Sequence, residues 1–279
     1  MNSKKFVREL FLAVRYRGFF PTLKNRLKLL FEELKFVETV RKRRRKIANR
    51  LDKLFDSTVA YGPFRGLKLT KNQWWGFSDR SAMFFGLYEQ EVLTSLQNIP
   101  PEYRTFVDLG AADGYYGIGV LINKMFDRSY CFEISEEGQY VIKENAALNG
   151  VSDRVVIKGI AEKDFYRHLS AGELERAVVF IDIEGAEFAL LDKTTLHALK
   201  DAIIIIELHD WFFEDGDAKL RNLKDAAKAT HSIVTLAAEG RDPSKFEELK
   251  RFHDTDRWLL CSEGRKRLMT WVRLDPLRS

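Results

Sequence analysis

Asp108, Asp113 and Glu133 stand where apolar strand patterns stop, and acids so placed suit a ligand that carries positive charge and hydroxyl groups. The first two belong to Phe106-Val-Asp-Leu-Gly-Ala-Ala-Asp-Gly-Tyr115, an apolar run that ends at Asp108 and spends Gly110 and Gly114 within five residues. Glycine lets the backbone turn tightly and come close to a ligand, because it has no Cβ. In open α/β sheets, ligands bind beyond the carboxyl ends of the strands, where the chain turns into a helix. The stretch therefore reads as one wall of a nucleotide-sized pocket. It does not carry the dinucleotide fingerprint G-x-G-x-x-G, since the frame from Gly110 reads G-A-A-D-G-Y. Two carboxylates beside a diphosphate would also repel it. An ammonium or a sulfonium fits them better.

The pattern D-x-G-x-x-x-G resembles the first motif of the class I S-adenosylmethionine methyltransferases, with Ala112 where the middle glycine usually lies. That resemblance implies cofactor contacts from Asp108, Gly110, Ala111, Asp113, Gly114 and Tyr115. About one βαβ repeat later, Ser129-Tyr-Cys-Phe-Glu133 reads as a second strand ending in an acid. Glu133 can accept both ribose hydroxyls, or stand as a solvated strand-end glutamate; Ile134 follows it. A third strand, Arg154–Gly159, leads to Ile160, Ala161 and Glu162. Order along the chain places these three at the adenine edge.

The next two strands narrow the resemblance. Ala177-Val-Val-Phe-Ile-Asp-Ile-Glu-Gly-Ala-Glu187 is an apolar strand followed by D-x-E-G-x-E, and Ala202-Ile-Ile-Ile-Ile-Glu-Leu-His-Asp210 ends in E-L-H-D. Near-continuous β-branched runs suit central parallel strands buried on both faces. The pairing resembles the FkbM family of methyltransferases, as do Tyr61–Leu69 and Gly86-Leu-Tyr-Glu-Gln-Glu91. The resemblance covers roughly residues 58–274. It implies S-adenosylmethionine as cofactor and O-methylation of a hydroxyl on a sugar, glycan or polyketide.

Such a transfer needs a group that removes the hydroxyl proton. His209 is the leading candidate, because imidazole titrates near neutral pH and lies just past the fifth strand. Its alternative role is that of a hydrogen-bonded turn residue. Asp182 and Glu184 follow the fourth strand, at the edge where the transferred methyl should lie, and Asp182 serves both the cofactor and the chemistry. A metal is not required by this reading. Should one bind, Asp182, Glu207 and His209, with Asp210 beside them, are the candidate ligands. Glu187, three residues past Glu184, either faces the same site or caps a helix. Trp74-Trp-Gly-Phe77 and Trp211-Phe-Phe213 either line an acceptor site or pack in the core. Arg257 and Arg265 either read an anionic group on the acceptor or are solvated.

These residues need an α/β scaffold, and the chain of 279 residues is long enough for one such domain plus an extension. The expected domain is a mostly parallel seven-stranded, Rossmann-like sheet flanked by helices over residues 58–279. His231–Leu236 and Leu268–Leu274 supply its sixth strand and antiparallel seventh, separated by an insertion at 237–267. A small β segment near 58–70 and a helix from about Asp79 to Leu96 precede it. Residues 1–57 form a basic helical extension, with Thr22 as the candidate helix N-cap.

The charge divides unevenly. Residues 1–53 hold 17 Lys/Arg against 5 Asp/Glu, a net of +12 within a total of +5, so the remainder carries −7. The arm, with its run Arg41-Lys-Arg-Arg-Arg-Lys46, reads first as a helix packed on the catalytic domain or on a second subunit, which allows a homodimer. Peripheral contact with an anionic membrane is the next reading, and specific nucleic-acid binding is not expected. Two cysteines offer no metal spacing and no disulfide framework, so a reducing cytosol is the default. The enzyme is therefore expected in the cytoplasm, or at the inner face of a membrane. Two other classes stay open: a degenerate scaffold that works through its basic arm, and a nicotinamide-dependent oxidoreductase, which the acidic turn disfavours.

Overall fold

Five short apolar runs build the parallel part of one sheet: β1 (Thr105–Leu109), β2 (Arg128–Phe132), β3 (Val155–Lys158), β4 (Ala177–Ile181) and β5 (Ile203–Leu208). β6 (His231–Leu236) and β7 (Thr270–Pro276) complete it. The structure is a computed structural model that describes residues 19–265 and 267–277. Strand order is β3-β2-β1-β4-β5-β7-β6, with β7 antiparallel to both of its neighbours. This is the class I methyltransferase sheet, and the expected Rossmann-like α/β fold is observed.

Successive strand side chains point to opposite faces. Val178 and Phe180 enter one core with Phe106, Ile203, Ile205 and Trp271. Val179 and Ile181 enter the other with Val107, Leu109, Ile204 and Ile206. Both faces are covered, which explains why β4 and β5 have no polar alternation. The order reverses between β1 and β4, so the crevice at their carboxyl ends is the expected ligand position.

Among the described residues ten α-helices accompany the sheet. The first five are α1 (Phe19–Phe55), α2 (Arg80–Phe84), α3 (Gln90–Gln97), α4 (Tyr115–Ile122) and α5 (Glu136–Leu148). The others are α6 (Ala171–Leu174), α7 (Glu187–Leu190), α8 (Lys193–Ala198), α9 (Gly216–Ala227) and α10 (Asp254–Leu260). The chain divides into two compact units, Met1–Lys46 and Ile47–Ser279. Within the second, Ile47 and Leu51 of α1 are core residues. Residues 1–18, part of the arm expected at an anionic surface, lie outside the described residues. No described helix is long and apolar enough to cross a membrane.

Three local expectations are corrected. The described part of α1 begins at Phe19, so Thr22 lies inside the helix and is not its N-cap. The helix expected over 79–96 is two pieces, α2 and α3, because Gly86 (φ 63) and Glu89 (φ 44) take left-handed backbone that an α-helix does not contain. The β segment at 58–70 reduces to one bridge between Thr58 and Lys68. Among the described residues of the 237–267 insertion are two 3-10 turns, Pro243–Lys245 and Glu247–Arg251, followed by α10.

One core histidine makes stability depend on pH. His231 is buried, with Nδ1 2.8 Å from Thr230 Oγ1 and Nε2 3.1 Å from the Ala202 carbonyl. Burial lowers its pKa despite those contacts. The neutral ring is therefore favoured in the folded protein. Stability is complete above the ordinary histidine pKa of about 6.5 and is lost as pH falls through the lower folded value. Denaturant midpoints between pH 7 and 5 should fall more steeply for the native protein than for His231→Gln; parallel curves would refute this.

Candidate active site

The loop after β1 is shaped by its neighbour strand before any ligand. A Cβ on Gly110 (φ 90) would lie 1.9 Å from the Asp182 carbonyl oxygen. Gly110 is thus required by the close approach of the β1 and β4 loops, not by contact with a cofactor alone. Ala112 takes φ 48 where the motif usually has glycine. Its N–H donates to Glu133 Oε2 at 2.9 Å, and the Ser135 N–H donates to Oε1 at 2.8 Å. These two donors fix the Glu133 carboxylate while leaving lone pairs for further hydroxyl donors.

Asp108 is buried. Its Oδ2 accepts from the Gly117 N–H at 2.9 Å, and its Oδ1 has no hydrogen-bond partner among the described residues. Burial pushes this carboxyl up to about 8. Tyr115 Oη and Asp182 Oδ1 are likewise buried without a partner. All three side chains line one small cavity of about 60 Å³, together with Gly110, Ala111 and Arg80. Arg80, which carried no sequence signal, is 3% exposed and pairs with Asp52 at 3.4 Å. Asp113 also lines this cavity, yet its Oδ1 already accepts the N–H groups of Trp74 and Trp75 at 3.0 and 2.9 Å. Its carboxylate therefore positions the tryptophan segment. Gly114 (φ 79) is the N-cap of α4.

An adjoining cleft of about 390 Å³ runs over the ends of β1, β2 and β4. Its walls include Trp74, Trp75, Glu133, Ile134, Ile160 and Ala161. Glu162 is exposed and does not line it, so of Ile160, Ala161 and Glu162, expected at the adenine edge, the first two line the cleft.

Beyond Asp182, the D-x-E-G-x-E segment turns sharply. Glu184 (φ 52) and Gly185 (φ 99) are both left-handed, and a Cβ on Gly185 would press on the Phe213 ring at 3.2 Å. The turn sends Glu184 outward and buries Glu187 completely. Glu187 Oε2 accepts the Gly185 N–H and its Oε1 the His209 N–H, each at 2.8 Å. The same Oε1 lies 3.3 Å from His209 Nδ1. The other ring nitrogen, Nε2, faces Glu207 Oε2 at 3.5 Å, Glu184 Oε2 at 3.6 Å and Asp182 Oδ1 at 3.7 Å. Phe212 stacks on the ring at 5.5 Å between centroids.

Burial pulls the His209 pKa down, but Glu187, Asp182 and Glu184 together outweigh it and the net shift is upward. The surrounding carboxylates thus favour the protonated ring more than water does. Burial and Asp182 push Glu207 up to about 10, and burial pushes Glu89 up to about 8. Arg265 opposes both shifts by pairing with Glu89, Glu207 and Glu263. Arg265 is thus committed to this network, and Arg257 pairs with the exposed Asp254. Asp210 starts the 3-10 turn after β5 and stays outside the cluster of Asp182, Glu207 and His209.

A second cavity, of about 260 Å³, opens over this cluster and is lined by Trp75, Tyr88, Trp211 and Arg267 besides the acids. Trp75 and Trp211 are 54% and 38% exposed, so they form walls and not core. Sequence reasoning left out Arg80. Glu89 had a signal only as part of the Gly86–Glu91 segment, and Glu263 only as part of the 237–267 insertion.

The class that this fold defines is the Rossmann-like methyltransferase-type sheet with acidic strand ends. No protein-family model matches the chain, and no curated protein does. Solved structures similar to it include the tRNA methyltransferase TrmI of Aquifex aeolicus, at 13% identity over 70% of each chain with a TM-score of 0.45. Another is the precorrin-6y C5,15-methyltransferase of Geobacter metallireducens, at 12% identity over 69% of this chain and 89% of that one, TM-score 0.44. A third is methyltransferase FkbM of Methylobacillus flagellatus, at 16% identity over 62% of this chain and 44% of that one, TM-score 0.41. The fold class rests on strand order and register, not on these distant likenesses.

Proposed function

We propose that this protein is an S-adenosylmethionine-dependent O-methyltransferase that acts on a hydroxyl of a saccharide or similar polyol. The observation that carries the reading is the unpaired buried oxygen of Asp108, set in the small cavity beside the larger cleft. Unpaired buried carboxylate oxygens are costly unless a ligand completes them, and an amino acid's ammonium does so. Arg80 on the same cavity suits the matching carboxylate. Glu133 accepts ribose hydroxyls, and the apolar walls at Ile134, Ile160 and Ala161 take the base.

When bound, the cofactor supplies a methyl group on a sulfonium; the acceptor oxygen takes it as the S–C bond breaks and its electron pair stays on sulfur. The chain's own residues orient the acceptor and accept its proton. Trp75 and Trp211 offer flat faces to a sugar ring over the second cavity. Asp182 and Glu207 accept hydrogen bonds there. The hydroxyl proton leaves to Glu184, the outward carboxylate on the wall of that cavity.

Calorimetric titration of S-adenosylmethionine tests the reading, with NADH as the competing ligand. Asp108→Ala and Glu133→Ala should each weaken binding by about 10- to 100-fold, equivalent to ~1.5–3 kcal/mol for a hydrogen bond to a charged group. Ionised Asp108 is the form that holds an ammonium. Affinity should therefore rise as pH approaches the value of about 8 for this carboxyl, with a proton released on binding. NADH binding without S-adenosylmethionine binding would refute the reading, and binding of neither would favour the scaffold alternative.

A further inference from the structure

We infer that Asp182, Glu207 and His209 form a binding site for one divalent cation at the floor of the second cavity. The inference rests on the proposed function only for its use in catalysis; the site itself stands on geometry. One donor atom from each residue lies within 4.8 Å of the other two. His209 is 2% exposed, its buried Nδ1 has no hydrogen-bond partner among the described residues, and its Nε2 is turned to the carboxylates of Asp182, Glu184 and Glu207. The Nε2 spacings of 3.5 Å to Glu207 Oε2 and 3.7 Å to Asp182 Oδ1 are too long for a firm hydrogen bond. They are close to the separation of two ligands that share an ion, about 3.0–3.4 Å for bonds near 2.1 Å.

Three further features are arranged as a metal site needs. Glu187 Oε1 accepts the His209 backbone N–H and lies 3.3 Å from Nδ1, on the side of the ring from which a carboxylate orients a ligating imidazole once the two align. Asp182 Oδ1 is a buried oxygen without a hydrogen-bond partner. Arg265 engages Glu207 through Oε1, which leaves Oε2 turned to the histidine.

The charge around the site calls for a cation as well. Asp182, Glu184, Glu187 and Glu207 face one imidazole, while Arg265 and Arg241 are shared among Glu89, Glu91, Glu207 and Glu263. Seven carboxyl groups thus meet two guanidiniums and one ring. At the buried positions either protons or a cation must offset the repulsion between them, and one divalent ion does so for several at once. Two carboxylates and one imidazole suit Mn²⁺ better than the all-oxygen preference of Ca²⁺. Remaining positions would face the cavity, where an acceptor hydroxyl gains acidity from the ion.

The test is a titration of Mn²⁺ into the chelator-treated full-length protein, read by the electron paramagnetic resonance of free Mn²⁺, with S-adenosylmethionine binding measured on the same samples. One Mn²⁺ per chain is expected. Asp182→Asn and Glu207→Gln should each weaken it by more than about tenfold, and excess Ca²⁺ should displace it poorly. Glu207 lines neither the small cavity nor the cofactor cleft, so Glu207→Gln should keep its affinity for S-adenosylmethionine. Near-UV circular dichroism confirms folding, and Asp182→Asn, at a half-buried position, is the second variant should Glu207→Gln misfold. No Mn²⁺ bound at millimolar ion, or equal affinity in native protein and both folded variants, would overturn the inference. Mn²⁺ binding without S-adenosylmethionine binding supports the site and refutes the methyltransferase reading; the reverse pattern does the opposite.

Discussion

Gly110→Ala should destabilise the protein by about 4 kcal/mol and lower Tm by roughly 10 °C. The added Cβ would meet the Asp182 carbonyl oxygen at 1.9 Å, and no rotamer change relieves a contact between two backbones. The φ of 90 adds conformational strain for any residue with a side chain. Left-handed strain contributes ~1–3 kcal/mol and overpacking another ~1–3; at ~2–4 °C per kcal/mol for a domain of this size the Tm shift follows. Because the displaced strand end is the one that carries Asp182, ligand affinity should fall in whatever protein remains folded. Thermal unfolding checks the first effect, and a Tm within about 2 °C of the native value would contradict it.

Glu187→Gln should give the largest change in the site for the smallest change in shape. Each oxygen of this fully buried carboxylate accepts a backbone N–H, from Gly185 and from His209. The amide keeps one acceptor and turns an NH₂ toward the other donor. The buried mismatch should cost ~1–3 kcal/mol. Glu187 is also the largest influence raising the His209 pKa. Removing its charge should therefore lower that pKa, so that the ring loses its proton at a lower pH, as NMR titration of the imidazole can follow. The proposed methyl transfer should drop on the order of 10²-fold, the usual scale for a residue that orients a site histidine, with Glu187→Asp recovering part of it. An unchanged His209 titration in the Glu187→Gln variant would remove Glu187 from the site.

Much of the sheet was legible because buried parallel strands need apolar residues on both faces. β4 and β5 therefore appear as unbroken runs, and the acids that end them mark the ligand edge. Positions within one loop, such as Asp108 and Gly110, were legible for the same reason. What periodicity could not supply was the role of each acid. Asp113 and Glu133 lie in similar strand-end contexts, yet one accepts two N–H groups from the tryptophan segment while the other is held toward the cleft. Arg80 reaches its cavity from a helix far from the motifs, and only packing brings it there.

By itself, the sequence determined the layered α/β class, the carboxyl-end location of the site and the acidic nature of its floor. These follow from local patterns of apolarity, glycine and charge. The resemblance already set Asp182 near Glu207 and His209; the tertiary structure fixed the β4–β5 register and added Glu187 to them. That register turns Asp182, Glu187, Glu207 and His209, from two distant turns, into one buried cluster. The tertiary structure also decided that Gly110 answers to the Asp182 carbonyl and that Arg265 is held by three acids. Distances between segments far apart in the chain depend on strand order and register, and a one-dimensional pattern carries neither.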